Sequence, residues 1–273
     1  MSQYLAEDLP AATGTKALRI WLKSSGYARR LLLGEGGDPW GEGAAKYLSY
    51  FSQARGLLRG DVAEVDLGDL FRSWLAHHPA LVAEMGSKKR ATYPLRRMLE
   101  EDGPRRLLDE VAEAVAAHLQ GQVPMVLVMP APGAWLAEAQ QMAGRPTEVD
   151  DDAVEDAAMY VADFLRCVAG RPVGGLLLEE GPEPGPAARY TPVLNAAKHY
   201  RWAVVGRNVA PDGAQVFDAV IGADAGVTGR DVSTELFATG DLPERGADQF
   251  YFAEIPVGHA PEAVLDALAR LRG

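Results

Sequence analysis

Seven short, nearly continuous apolar runs constrain this chain most: LRIWL (18–22), VAEVDL (62–67), PMVLVMP (124–130), GGLLLEE (174–180), WAVVGR (202–207), FDAVIGAD (217–224) and FYFAEIP (250–256). Runs without apolar/polar alternation suit strands that are covered on both faces, as in a parallel sheet. ARRLLLGEG (28–36) adds an eighth candidate strand. The stretches between them carry helical patterns, at 43–58, 104–120, 151–167, 190–200 and 260–271. In 104–120 the apolar residues Leu107, Leu108, Val111, Val115 and Leu119 recur at spacings of one, three or four, which marks one buried helix face. The stretch 151–167 opens with acidic residues, which favour the positive end of a helix dipole. Pro261 suits the first turn of the last helix.

Strand, helix, strand in alternation is the sequence sign of α/β architecture, and seven or eight strands favour a (β/α)8 TIM-type barrel over a doubly wound sheet. With 273 residues and 48% apolar composition, one such domain spanning 1–273 is expected, with 1–60 an irregular N-terminal segment. The Gly-rich turn GEGGDPWGEG places Pro39 where a dinucleotide fingerprint needs its third glycine, so no nucleotide loop is assigned there.

Charge and cysteine content narrow the function. The balance is 27 basic against 38 acidic residues, a net −11, which argues against nucleic acid and against an anionic membrane surface as partners. The lone Cys167 cannot build a disulfide framework or a thiolate-rich zinc site. The N-terminus lacks the basic-then-apolar pattern of a secretory signal, and no apolar run approaches the ~20 residues of a membrane helix. A cytoplasmic protein is expected, with homodimerisation left open.

Barrels and open parallel sheets keep their chemistry at the carboxyl ends of their strands. At or just past the ends of the apolar runs stand Asp66 and Asp69, then Glu179 and Glu180, Arg207, Asp224, Glu254 and His259. The candidate acid–base groups are Asp66, Asp69, Glu179, Glu180 and His259. Arg207 offers a bidentate fork for a carboxylate, and Lys23, Tyr27, Arg189, Asp224 and Glu254 complete the candidate binding set. Adjacent residues of a strand face opposite sides, so only one of Glu179 and Glu180 should face the barrel axis. No metal ligand is assigned, although a ring of carboxylates would also suit Mg²⁺. The basic run KKRATYPLRR (88–97) is either a solvated loop and helix start or an anion site built on Lys88, Lys89, Arg90, Arg96 and Arg97.

The segment PLRRMLEEDGPRRLLDEVAEAVAAHLQGQVPMVLVMPAPGAWLAEA orders a helix, a strand ending in Pro-x-Pro-Gly, and a helix. It resembles the corresponding part of the uroporphyrinogen decarboxylase and cobalamin-independent methionine synthase superfamily. AMYVADFLRCVAGRPVGGLLLEE is similar to that superfamily's long helix and acid-ended strand. IWLKSSGYARR resembles the decarboxylase pattern W-x-x-R-Q-A-G-R-Y, but Ser24 stands at the first arginine, Lys23 lies one place early, and Tyr27 follows Gly26 directly.

The layout likeness covers roughly 94–273. It implies a barrel enzyme. The decarboxylase branch uses arginines and an aspartate, without metal or cofactor, to hold a polycarboxylate; Asp66 or Asp69 would take the acidic role. The methyltransferase branch holds zinc through a histidine, cysteines and an acidic residue, and this chain lacks the cysteines. The expected function is therefore a lyase, decarboxylase-like, acting on a small anionic molecule without a cofactor. The alternatives are a methyltransferase with zinc, or a barrel that only binds a ligand or partner.

Overall fold

A computed structural model describes residues 4–10, 18–223, 227–246 and 248–273. Eight parallel strands form one sheet: β1 (Ile20–Lys23), β2 (Ala63–Asp66), β3 (Met125–Pro130), β4 (Val173–Glu179), β5 (Ala203–Arg207), β6 (Ala219–Gly222), β7 (Gly229–Asp231) and β8 (Phe250–Glu254). Their order, β1-β8-β7-β6-β5-β4-β3-β2, bends the sheet into a nearly closed (β/α)8 barrel.

The helices are α1 (Leu5–Asp8), α2 (Ser25–Leu33), α3 (Ala44–Leu57), α4 (Leu67–His77), α5 (Pro79–Met85), α6 (Tyr93–Leu99), α7 (Asp102–Leu119), α8 (Pro132–Met142), α9 (Asp151–Leu165), α10 (Thr191–Tyr200), α11 (Ser233–Ala238) and α12 (Pro261–Arg272). None of the described helices is long and apolar enough to cross a membrane.

Local chemistry explains the boundaries. Asp66 caps α4, its carboxylate accepting the Asp69 N–H at 2.9 Å. Asp150 caps α9 in the same way, through the Ala153 N–H at 2.8 Å. Such caps satisfy donors that the first helical turn leaves open. Helix α7 buries Leu108, Val111, Val115 and Leu119, as its periodicity predicts, and ends at Gln120 in the left-handed region. Leu107 is only half-buried.

One strand expectation is corrected: ARRLLLGEG (28–36) is not a strand. It lies in α2 and the turn after it, with Tyr27 and Ala28 as the buried face. Its three leucines look like a strand run, but Leu31 is 43% exposed, so the run lines no sheet. A strand that the apolar runs do not mark, β7, has only three residues.

The barrel interior is apolar over most of its depth. Trp21 stacks on Phe250 at 6.0 Å, and Val126, Val128, Leu177, Val205, Ile221 and Phe252 fill the rest. Helix α1 and the residue after it plug the amino-terminal end with Leu5 and Leu9. Gly175 makes room for it: a Cβ there would sit 2.9 Å from the Leu5 side chain and 2.8 Å from the Ala203 carbonyl oxygen. Larger apolar layers join the outer face of the sheet to the surrounding helices.

No ladder of hydrogen bonds joins β1 to β2 among the described residues. Isolated contacts through Asp61 and Trp21 span the seam instead. The Asp61 carboxylate accepts the N–H groups of Arg19 and Ile20, and the Asp61 N–H donates to the Ile20 carbonyl at 3.0 Å. Higher up, the Trp21 indole N–H donates to Glu64 at 2.7 Å. Two edge strands that would expose unpaired backbone are thereby tied across the gap.

Candidate functional site

The carboxyl ends of the strands carry a ring of alternating charge. Lys23 ends β1, Glu179 ends β4, Arg207 ends β5 and Glu254 ends β8. All lie on the inward face, two residues beyond apolar interior positions such as Trp21, Leu177, Val205 and Phe252. Neighbouring strands place Lys23 beside Glu254 and Glu179 beside Arg207.

The side chains then reach across the mouth. Lys23 Nζ is 2.6 Å from Glu179, and Arg207 Nη1 is 2.6 Å from Glu254. Arg207 also meets Glu179 at 2.9 Å, and Lys23 meets Glu254 at 3.4 Å. Asp231, at the end of β7, adds a third carboxylate to Arg207 at 3.0 Å. Below them the Arg207 guanidinium lies 4.4 Å from the centre of the Phe252 ring, an aromatic floor that suits its flat face.

Burial and charge pull in opposite directions here. Burial disfavours the Lys23 ammonium, but Glu179, Glu254 and Glu64 outweigh it and hold its pKa above the usual lysine value. Burial likewise favours a neutral Glu254, but Lys23 and Arg207 prevail and keep it ionised to lower pH than usual. Glu254 is the ring member most open to solvent, its side chain 41% exposed against 12% for Lys23 and for Arg207.

Asp66 and Glu64 form a second acidic pair, two residues apart on the inward face of β2. Burial raises Asp66 to about 6, the Asp69 charge adds to this, and the Asp69 N–H partly offsets it. Asp66 also receives a long hydroxyl contact from Ser25 at 3.5 Å. Burial pushes Glu64 further, to about 8, against the pull of Lys23 and the Trp21 N–H. Beside the pair the seam opens into a cavity of ≈ 60 Å³ that is also lined by Ser24, Ser25, Tyr47 and Tyr50.

The expectation for the adjacent glutamates holds. Glu179 faces the axis and its neighbour Glu180 turns outward, 8% exposed, where it accepts hydrogen bonds from the Tyr190 hydroxyl and the Gly185 N–H. Burial raises the Glu180 pKa and those two donors partly counter it. Glu180 thus anchors the loop GPEPGP rather than facing the mouth. Replacing Tyr190 with Phe should lower stability by about 1–2 kcal/mol in urea unfolding, because a buried carboxyl loses a donor. The rim chemistry should be unaffected.

The other sequence candidates divide. Asp69 borders the ring's acidic side but is paired with Arg29 at 3.3 Å and Arg72 at 3.0 Å. Tyr27 is 3% exposed and packs among Leu22 and Ile255, away from the mouth. Arg189 pairs with Asp151 and Glu155 of α9, on the outer layer. His259 stands edge-on to Phe237 at 5.4 Å, with no hydrogen bond or ion pair to the ring among the described residues. Asp224 lies outside the described residues.

Two members of the site are absent from the set expected on sequence. Glu64 shares the inward face with Asp66 by the two-residue strand period, a signal available in VAEVDL. Asp231 had no such signal, because β7 is too short to stand out.

The donor set for zinc-dependent methyl transfer is not gathered at the mouth. Cys167 lies in the outer layer after α9, where burial raises its thiol to about 12. Among the described residues no three His, Cys, Asp or Glu side chains are grouped to hold a metal ion. Models of known protein families give no match to this chain, and neither do curated proteins.

Proposed function

We propose that this barrel is an enzyme that acts on a small polycarboxylate at its carboxyl-end rim, by decarboxylase-type lyase chemistry. The observation that carries the reading is the position of Glu254. Its carboxylate bridges Lys23 and Arg207, with one oxygen 3.4 Å from the ammonium and the other 2.6 Å from the guanidinium. It is the most exposed of the ring's charges, so it occupies the place where a substrate carboxylate from solvent would bind. Charge-assisted hydrogen bonds to Lys and Arg favour a carboxylate there over a neutral group.

The carboxylate held by Lys23 and Arg207 is one the substrate keeps, since a cation on the departing group would oppose its loss. At the other carboxylate the C–C bond breaks and CO₂ leaves. The electron pair remains on carbon and takes a proton from the Asp66 carboxyl, which solvent then reprotonates. A carboxyl with a pKa of about 6 is present in both protonation states near neutrality, as a general acid–base group requires. Ser25 and the Asp69 N–H orient it.

The test is CO₂ release across a panel of small di- and polycarboxylates. Asp66→Asn should lower turnover by ~10²–10⁴-fold, the usual worth of a general acid, without loss of folding stability, since Asn can still cap α4. Glu254→Gln should lower KM by removing the resident competitor. Turnover surviving in Asp66→Asn would dismiss the proton-donor role. An unchanged or raised KM in Glu254→Gln would dismiss the exchange.

A further inference from the structure

A basic cleft in the outer helical layer shares no residue with the chemistry proposed for the rim. Helix α8 begins directly after β3, and the loop that follows it leads into α9. There the turn 86–92, between α5 and α6, faces the turn 143–147. They enclose ≈ 380 Å³, lined by Lys88, Lys89, Arg90, Arg145, Pro146 and Thr147 among others. That volume lies within the ~300–1,000 Å³ usual for small-molecule sites.

The cleft is held in shape. Gln140, 1% exposed, donates to the Ala91 carbonyl at 3.1 Å and accepts the Thr147 N–H at 3.1 Å, so one buried amide staples both walls. Arg145 donates to the Lys88 carbonyl at 3.3 Å, a second tie. Gly86 permits the close approach: a Cβ there would be 2.9 Å from the Ala143 carbonyl oxygen.

Its charge is largely uncompensated. Arg90 pairs with Asp156 at 2.6 Å, but Lys88, Lys89 and Arg145 have no ion pair among the described residues. The Lys88 ammonium lies 4.4 Å from the Tyr93 ring centre. This contrasts with the rest of the basic run, where Arg96 is paired with Glu100 and Arg97 with Glu84 and Glu101. Three unpaired cations around one preformed hollow are notable in a chain of net charge −11. Two ammonium point charges and a planar guanidinium fork match the oxygens of a multiply charged phosphate ligand.

We propose that this cleft binds a small ligand carrying phosphate groups, at a site separate from the rim. Inorganic pyrophosphate titrated by calorimetry is the probe. Expected is one site per chain, with affinity that falls as salt rises and falls at least tenfold in the Lys88→Gln/Lys89→Gln double variant. Both positions are exposed, so thermal unfolding should not change, and malonate binding at the rim should persist in the double variant. Failure to bind at millimolar pyrophosphate, or binding that survives the double substitution, would overturn the proposal. Binding abolished instead by Arg207→Lys would assign the anion to the rim.

Discussion

Replacing Arg207 with Met should cost about 3 kcal/mol of folding stability, and the loss should shrink as the pH falls. Arg207 is the common partner of Glu179, Asp231 and Glu254, and its side chain is only 12% exposed. Removing one partner of a buried ion pair costs roughly 3–5 kcal/mol, because the charges left behind are uncompensated. The lower figure applies here, since Glu254 can turn toward water. For a chain of this size, about 3 kcal/mol corresponds to roughly 6–12 °C in Tm. Methionine keeps much of the volume over Phe252, so lost packing contributes little.

Acidity separates charge from packing in that variant. Three crowded carboxylates left with Lys23 alone take up protons more readily than in the wild type, so acidification should restore part of the loss. Thermal unfolding at pH 5 and at pH 8 makes the comparison. A deficit of the same size at both would assign the effect to packing. Arg207→Lys should fall between the two, because one ammonium cannot present the guanidinium fork to three acceptors.

The second large effect is a fall in stability as the pH rises, traceable to Glu64. Its folded pKa of about 8 stands above the ordinary 4.5, so the folded state keeps a proton that the unfolded chain releases. The stabilisation this gives is fully present below pH 4.5 and is lost as the pH climbs through about 8. Each unit of displacement is worth about 1.4 kcal/mol, so the window holds several kcal/mol. Asp66, displaced from 3.8 to about 6, adds a smaller decline at the acid end of the range.

Urea unfolding measured from pH 5 to pH 9 should therefore show a steady decline. Glu64→Gln should flatten most of it above pH 6 while keeping a partner for the Trp21 N–H. Asp66→Asn should leave the upper part intact. Stability that is level over this range in the wild type would mean that Glu64 is ionised in the fold.

The fold was legible because a parallel barrel buries its strands on both faces. PMVLVMP and GGLLLEE carry that burial as unbroken apolar runs, and both are strands within a residue or two. ARRLLLGEG misled for the same reason. Three consecutive leucines look alike whether a strand is buried or a short helix rolls them across its surface, and nine residues are too few for the helical period to declare itself. In β7 the information is almost absent, because three residues with a leading glycine make no pattern.

Glu179, Arg207 and Glu254 were legible as strand-end charges and Lys23 as a binding candidate in a basic-aromatic stretch, and the barrel brings the four within contact of one another. What the sequence left open is which of them meet. Lys23 and Glu179 are 156 residues apart, and only closure of the sheet joins them. Tyr27, Arg189 and His259 lie on helices or loops past the strand ends. There the side-chain direction depends on packing against neighbours distant in sequence.

The exchange of carboxylates between Glu254 and a substrate is tested most directly by a crystal structure with malonate at saturating concentration. A malonate carboxylate should lie between Lys23 Nζ and Arg207 Nη1, with the Glu254 side chain turned out to solvent. Glu254 still bridging both cations, with malonate absent from the mouth, would contradict the proposed site.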